Sequence, residues 1–306
     1  MAGNVTTTPR PVLDTPRIRK LKRERAKTRK RKILLWFIAC ILFFVGLGFL
    51  SNIPQMRITN VVIEGTTVVS KDVVLAKVQE QLLGKYFFLY SKQNFLLYPK
   101  GSIEHALLRD VKRLATVQVS LDGPHTLVVR VSEREGRYLW CGHTLNEAQA
   151  DIPDLECYYL DSNGYVFSRS PYFSGNVYIK FFGTGLFGPT LDPVGRQFLS
   201  VESFDIITRF VSALHEFSIN PYAVLVKDTG DFDIYISSLE PGRLVYTKMM
   251  VSSRANTETL IANLRAALAA PQFKSDFENR FSDLLYIDLR FANKVYYKFK
   301  TATTEF

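Results

Sequence analysis

Between Ile33 and Leu50 the chain reads ILLWFIACILFFVGLGFL with no charged residue, directly behind the basic run RIRKLKRERAKTRKRK of residues 17 to 32. At ~1.5 Å rise per residue a helix of this stretch covers ~27 Å against ~30 Å of bilayer hydrocarbon, and Ser51, Asn52 and Ile53 can complete the crossing. The stretch is apolar all round, whereas a helix in a soluble core keeps a polar stripe. The Leu50-Ser51-Asn52-Ile53-Pro54 junction offers no small-x-small cleavage site. An uncleaved transmembrane helix over residues 33–53 is therefore expected rather than a signal peptide.

Charge then orients the chain. Residues 1–32 carry 12 Lys and Arg against Asp14 and Glu24, while the first charged residue beyond the span is Arg57. By the positive-inside rule this basic tail is cytoplasmic and the body extracytoplasmic. The whole chain has 39 basic and 29 acidic residues, so residues 33–306 hold 27 of each and the body is neutral. The cations next to a span are explained by topology and by attraction to anionic lipid, and no nucleic-acid partner is expected. The Thr- and Pro-rich residues 1–16 lack the apolar content for a packed core, so the tail over residues 1–32 is expected to be disordered in water, while residues 17–32 can become helical against lipid.

Beyond Arg57 the texture changes to short, punctuated elements. Residues 58–64 (ITNVVIE) read as a strand stopped by Gly65, and Ser70 reads as the N-cap of a helix carrying Val74, Val78 and Leu82 up to Gly84. An aromatic-rich loop from Tyr86 to Tyr98 leads to a second helix from Ser102, with Ile103, Leu107, Leu108 and Val111 on one face. Strands follow over 116–121 and 125–133 around the Asp122-Gly123-Pro124 turn. The order is β-α-α-β-β.

In that order, immediately outside a single span, the segment resembles a POTRA domain over residues 57–134, and more specifically that of the FtsQ/DivIB family of bacterial division proteins. The resemblance rests on VVIEG, on the Gly84-Lys85-Tyr86-Phe87-Phe88 loop, and on Gly123-Pro124-His125-Thr126-Leu127 running into Val131-Ser132-Glu133-Arg134, which matches the family's Val-x-Glu-Arg signature. It continues through YYLDSNGYVF to Asp288-Leu289-Arg290-Phe291, similar to the Asp-Leu-Arg-Tyr segment that closes the family's β domain. The expected fold class is thus α+β: a single transmembrane helix, a POTRA-like domain, then a mixed or antiparallel β-sheet domain with two helices over 135–300, and a short tail at 301–306.

Within that second segment, strands are expected over 137–140, 158–160, 165–168, 178–182, 223–227, 232–237, 243–247, 284–291 and 294–300. Helices are expected over 199–217 and 257–270. Cys141 and Cys157 would stand at the ends of adjacent strands on the oxidising side, so a disulfide between them is expected, with free thiols as the alternative. A metal site using Cys141, His143 and Cys157 lacks a fourth ligand. Gly183-Thr184-Gly185-Leu186-Phe187-Gly188 satisfies G-x-G-x-x-G, but Pro189 and Pro193 follow where a phosphate-binding helix should open, so a loop is expected. The Asp161–Gly164 segment lacks the terminal Glu of a calcium loop and reads as a turn. His215-Glu216 lacks the second His of a zinc-protease motif, since Ile219 occupies its place.

The expected function is a non-enzymatic divisome scaffold in the cytoplasmic membrane at the division septum, with no cofactor, metal, catalytic residue or small-molecule substrate. The resemblance implies partners of the FtsB/DivIC and FtsL coiled-coil types, with further divisome membrane proteins, and membrane lipid is expected at the basic tail. In the family the last strands offer an edge to which the partner adds a strand. This places contacts at Phe291, at the turn residues Asn293 and Lys294, and at Val295, Tyr297 and Phe299. The family's turn is usually small or Gly-containing, so Asn293-Lys294 departs from it. Alternatively Val295, Tyr297 and Phe299 simply pack one face of a sheet. Two other function classes stand as alternatives: a POTRA-type chaperone or adaptor for secreted or outer-membrane proteins, and an extracytoplasmic hydrolase or protease. The latter lacks G-x-S-x-G, S-x-x-K and H-E-x-x-H.

Overall fold

The structure, a computed structural model, describes residues 16–145, 156–173, 177–186, 188, 192–240, 243–291 and 294–300. The first helix, α1 (Pro16–Ser51), runs unbroken from the basic stretch through the apolar one, and its Lys27–Ser51 part is long and apolar enough to cross a membrane. It stops where Asn52 turns its side-chain amide back onto the Gly48 carbonyl at 2.6 Å, satisfying one of the orphan acceptors of a helix end. Pro54, in the first turn of a short 3-10 segment, Pro54–Met56, redirects the chain.

The described residues form two compact units. The first takes in the chain up to Glu64, then Lys71–Ala106 and Gln118–Arg130; the second takes in Gly65–Ser70, Leu107–Val117 and the chain from Val131 onward. The elements β1 (Asn60–Glu64), α2 (Lys71–Leu82), α3 (Lys100–Asp110), β4 (Leu114–Asp122) and β5 (Thr126–Glu133) reproduce the β-α-α-β-β order and build a three-stranded sheet in the order β1-β5-β4. β1 lies parallel to β5, with Val61 opposite Leu127 and Ile63 opposite Val129. Val74, Val78 and Leu82 of α2 are buried at the helical spacing. Helix α3 begins at Lys100, two residues before the expected Ser102, because the Ile103 N–H already bonds the Pro99 carbonyl. Inside the expected aromatic loop lies a small hairpin of β2 (Lys85–Tyr86) and β3 (Tyr90–Ser91).

In the second unit, one ten-stranded mixed sheet organises everything. Its strands are β6 (Tyr138–Trp140), β7 (Tyr158–Leu160), β8 (Tyr165–Arg169), β9 (Lys180–Phe182), β10 (Arg196–Gln197), β11 (Asn220–Val226), β12 (Phe232–Glu240), β13 (Arg243–Val251), β14 (Leu284–Phe291) and β15 (Lys294–Phe299). Their spatial order is β10-β8-β7-β6-β9-β11-β12-β13-β14-β15. The pairs β6–β9, β9–β11 and β13–β14 are parallel, and the others antiparallel.

Helix α4 (Val201–Leu214) buries Phe204, Ile207, Phe210, Val211 and Leu214, and α5 (Thr257–Ala269) buries Leu260 and Leu264, in the same core as Phe181, Val224, Ile234, Met249 and Ile287 of the strands. Each helix starts at a side-chain cap: Ser200 accepts from the Ser203 N–H, and Asn256 from Glu258 and Thr259. A third helix, α6 (Pro271–Asn279), was not expected. Pro271 does end α5, but it also occupies the first turn of α6, where a missing N–H costs nothing. Phe273 of α6 completes the core.

A smaller apolar cluster gathers Leu139, Cys141, Cys157, Phe182, Tyr222, Ala223 and Tyr235. Cys141 and Cys157 are joined there by a disulfide, with Cα atoms 4.2 Å apart. Most of the loop that it closes, residues 146–155, lies outside the described residues.

Candidate partner-binding edge

β15 is the last strand of the large sheet. It pairs only with β14, in the register Leu284–Phe299, Tyr286–Lys298, Ile287–Tyr297, Asp288–Tyr296 and Phe291–Lys294, so among the described residues its outer edge has no partner. The opposite edge strand, β10, has just two residues. An open row of N–H and C=O groups is a template for another strand, and proteins usually blunt it with lysines or brevity. Here Lys294 and Lys298 are exposed, but the six-residue strand carries no proline.

The strand's alternation sends its side chains two ways. Val295 and Phe299 pack against the helix-covered core, and the Tyr297 ring lies 4.4 Å from that of Phe273 and 5.9 Å from that of Phe299. The Arg280 guanidinium stands over Phe299 at 5.3 Å. Beside them a cavity of about 370 Å³ is lined by Ala266 and Ala267 of α5, by Ala270 between α5 and α6, and by Phe273, Val295 and Tyr297. On the other side Phe291 meets Tyr296 edge to face at 5.1 Å. Phe291, Tyr296 and Tyr297 remain 49%, 47% and 40% exposed, which leaves aromatic surface on both sides of the open edge.

The neighbouring strand is fixed by an ion pair between the buried Asp288 and the exposed Arg290. Asp288 accepts from Nε and Nη2 of Arg290 at 2.9 and 2.7 Å and from its backbone N–H at 3.1 Å, and Nη1 of Arg290 reaches Asp231 at 3.4 Å. Burial opposes the charge on Asp288, but these bonds outweigh it and hold the carboxyl below its ordinary pKa. Arg290 is raised further above its ordinary value, chiefly by its bonds to Asp288. The Asp-Leu-Arg segment is thus structural: it ties the end of β14 to the turn before β12.

The residues ending β5 are equally constrained. Val131 is buried, and the Glu133 carboxylate accepts from the backbone N–H groups of Thr67, Val68 and Val69 at 2.7 to 2.9 Å and from Arg113 at 3.3 Å. Burial raises the pKa of this acid, yet the three backbone donors bring it below the ordinary value. Arg134 pairs with Asp161 and stacks over the Tyr165 ring at 4.1 Å, while the other oxygen of Asp161 caps the turn through the Asn163 and Tyr165 N–H groups. Residues 56–134 match the family model described as POTRA domain, FtsQ-type. The chain is FtsQ/DivIB-like. No curated protein matches it.

In this FtsQ/DivIB-like chain the structure brings Phe291, Lys294, Val295, Tyr297 and Phe299 together at one sheet edge. They divide between its two sides: Val295, Tyr297 and Phe299 lie toward the helices, and Phe291 lies with Tyr296. Asn293 lies outside the described residues. Tyr296 and the alanine-lined cavity are not among the contacts expected from the sequence. Strict alternation along Lys294–Phe299 could have paired Tyr296 with Phe291, but the cavity depends on how α5 and α6 lie and left no local signal. Among the described residues of Gly183–Gly188 no helix opens, and the Leu186 N–H bonds the Phe198 carbonyl. His143 packs on Trp140, and among the described residues no group of three His, Cys, Asp or Glu side chains could hold a metal ion.

Proposed function

We propose that this protein is a non-enzymatic divisome scaffold. Helix α1 anchors it in the cytoplasmic membrane with the basic end in the cytoplasm, against anionic lipid, and the POTRA domain and sheet domain lie on the extracytoplasmic side at the septum. The open edge of β15 captures a strand of an FtsB/DivIC-type partner, which brings an FtsL-type protein with it. The observation that carries this reading is a six-residue edge strand whose outer side has no partner among the described residues, flanked by half-exposed aromatic rings, in a chain with an FtsQ-type POTRA domain. Backbone groups of the edge supply affinity, and Tyr297, Phe291 and the alanine-lined cavity supply selectivity.

Prolines placed singly at Val295 and Tyr296 test the proposal, because neighbouring N–H groups point to opposite edges. One of the two variants is expected to fold and to lose co-purification with the partner. Undiminished capture by both folded variants would sink the edge model. A fluorescent fusion separates the division reading from a general envelope chaperone: a mid-cell band supports the former and uniform staining the latter.

A further inference from the structure

Phe87 and Phe88 are the two most exposed large apolar side chains among the described residues, at 86% and 95%. They form the turn of the β2–β3 hairpin with Leu89, at the tip beyond the Lys85–Ser91 and Tyr86–Tyr90 pairs, and the Leu89 N–H closes it on the Tyr86 carbonyl at 3.1 Å. Both phenylalanines sit at positive φ, +47° and +63°. A hairpin turn in water normally gives such positions to Gly or Asn, which occupy that region with less strain. Two bulky aromatics in a strained turn with almost bare rings contribute nothing to this fold that a smaller residue would not.

The hairpin's location supplies a reason. It is fastened along the last two turns of α1. The Leu89 carbonyl accepts from the Asn52 amide at 2.8 Å, the Ser91 N–H donates to Ser51 Oγ at 3.0 Å, and the Asn94 amide donates to the Ser51 carbonyl at 3.1 Å. Further up the helix the Tyr90 hydroxyl donates to the Phe44 carbonyl at 2.9 Å, and a Cβ on Gly48 would meet that of Leu89 at 3.1 Å. Phe44 precedes Ser51 by seven residues, about 10 Å along the helix axis. A span that begins after Lys32 reaches ~30 Å near Asn52, so the hairpin overlaps the outermost part of the bilayer. Two backbone groups of the hairpin, the Leu89 carbonyl and the Ser91 N–H, find their partners on the end of α1 or just beyond it, which lowers the cost of placing them at membrane depth. Nearby, Leu96 is a further 71% exposed apolar residue.

We propose that the Phe87-Phe88-Leu89 turn is a second membrane anchor, seated in the lipid of the leaflet at the C-terminal end of α1, its rings among the acyl chains just below the headgroups. The proposal rests on α1 being a span. Interfacial aromatic side chains hold a protein at a set depth; with α1 they make a two-point attachment that fixes the tilt of the first unit against the bilayer.

Site-directed spin labelling of the full chain in phosphatidylcholine–phosphatidylglycerol liposomes tests it. Cys40 is the one free cysteine among the described residues, so a nitroxide on the native thiol reports the span. In a Cys40→Ser background, labels on Phe88→Cys and, separately, Phe87→Cys report the turn. Val201→Cys, at a position 53% exposed on α4, serves as the aqueous reference. Oxygen and a water-soluble nickel chelate compete as relaxing agents. The turn labels are expected to follow Cys40, with strong relaxation by oxygen and loss of the nickel effect seen at Val201→Cys. Nickel access at both turn sites equal to that at Val201→Cys, with the Cys40 label still in lipid, overturns the second anchor and leaves the span intact. Nickel access at Cys40 as well overturns both.

Discussion

The ring of Tyr297 on the edge strand lies 4.4 Å from that of Phe273 on α6, centroid to centroid, at 46°. Phe273 is almost fully buried and Tyr297 is not, so this contact joins the core to the open edge. Phe273→Ala is expected to lower the unfolding free energy by about 3–5 kcal/mol. A double-mutant cycle with Tyr297→Ala should return a coupling of about 0.5–1.5 kcal/mol in denaturant melts. Tyr297→Ala alone should weaken partner capture while the domain stays folded; unchanged capture would remove Tyr297 from the contact surface.

Acidification should weaken the fold through Glu133 and Asp288. Both have folded pKa values below their unfolded ones, so the stability each contributes is complete above the ordinary carboxylate value and is lost as pH falls through the folded one. Melting temperature should therefore be flat near neutrality and drop below pH ~4. Glu133→Gln should cost about 1–3 kcal/mol at neutral pH and flatten part of the acid drop. An unaltered acid profile would show that the bonds to Thr67, Val68 and Val69 are not linked to folding.

Cys141 and Cys157 are 16 residues apart, and opening their disulfide should cost about 3 kcal/mol if chain entropy dominates for a loop near 15 residues. Alkylation and intact mass before and after reduction give the check. Two additional alkylated thiols are expected only after reduction, together with a lower melting temperature.

Gly65 ends β1 at φ +90°, and a Cβ there would run into the Val131 carbonyl. Gly65→Ala is expected to destabilise the protein by more than the ~1–2 kcal/mol of the left-handed conformation alone. Gly84, also at positive φ but with open space around it, should pay only the conformational part. Equal losses at the two sites in thermal melts would contradict the close approach.

Much of this architecture was legible in the sequence. Phe204, Ile207, Phe210, Val211 and Leu214 repeat with the helical period, Leu127, Val129 and Val131 with the strand period, and the charge step at Lys32 marks the span. What escaped did so for identifiable reasons. Two residues cannot display an alternation, so β10 was invisible. Pro271 reads as a stop although it also starts α6. The β2–β3 turn contains Phe-Phe where hairpins advertise themselves with Asn-Gly. That β15 is the last strand follows from strand order across the whole sheet, which no local pattern records; the resemblance around Asp288-Leu289-Arg290 pointed there.

Because α1 is one unbroken helix from Pro16 to Ser51, its two ends share a single rotational phase. One inserted residue would turn the basic end by about 100° relative to Ser51 and Asn52 and displace it by ~1.5 Å. Four would nearly restore the phase while adding ~6 Å of length. The hairpin seat at Phe44, Gly48 and Ser51 occupies one azimuth of that rod, so the direction in which the basic residues face is geared to the direction in which the hairpin leaves the helix.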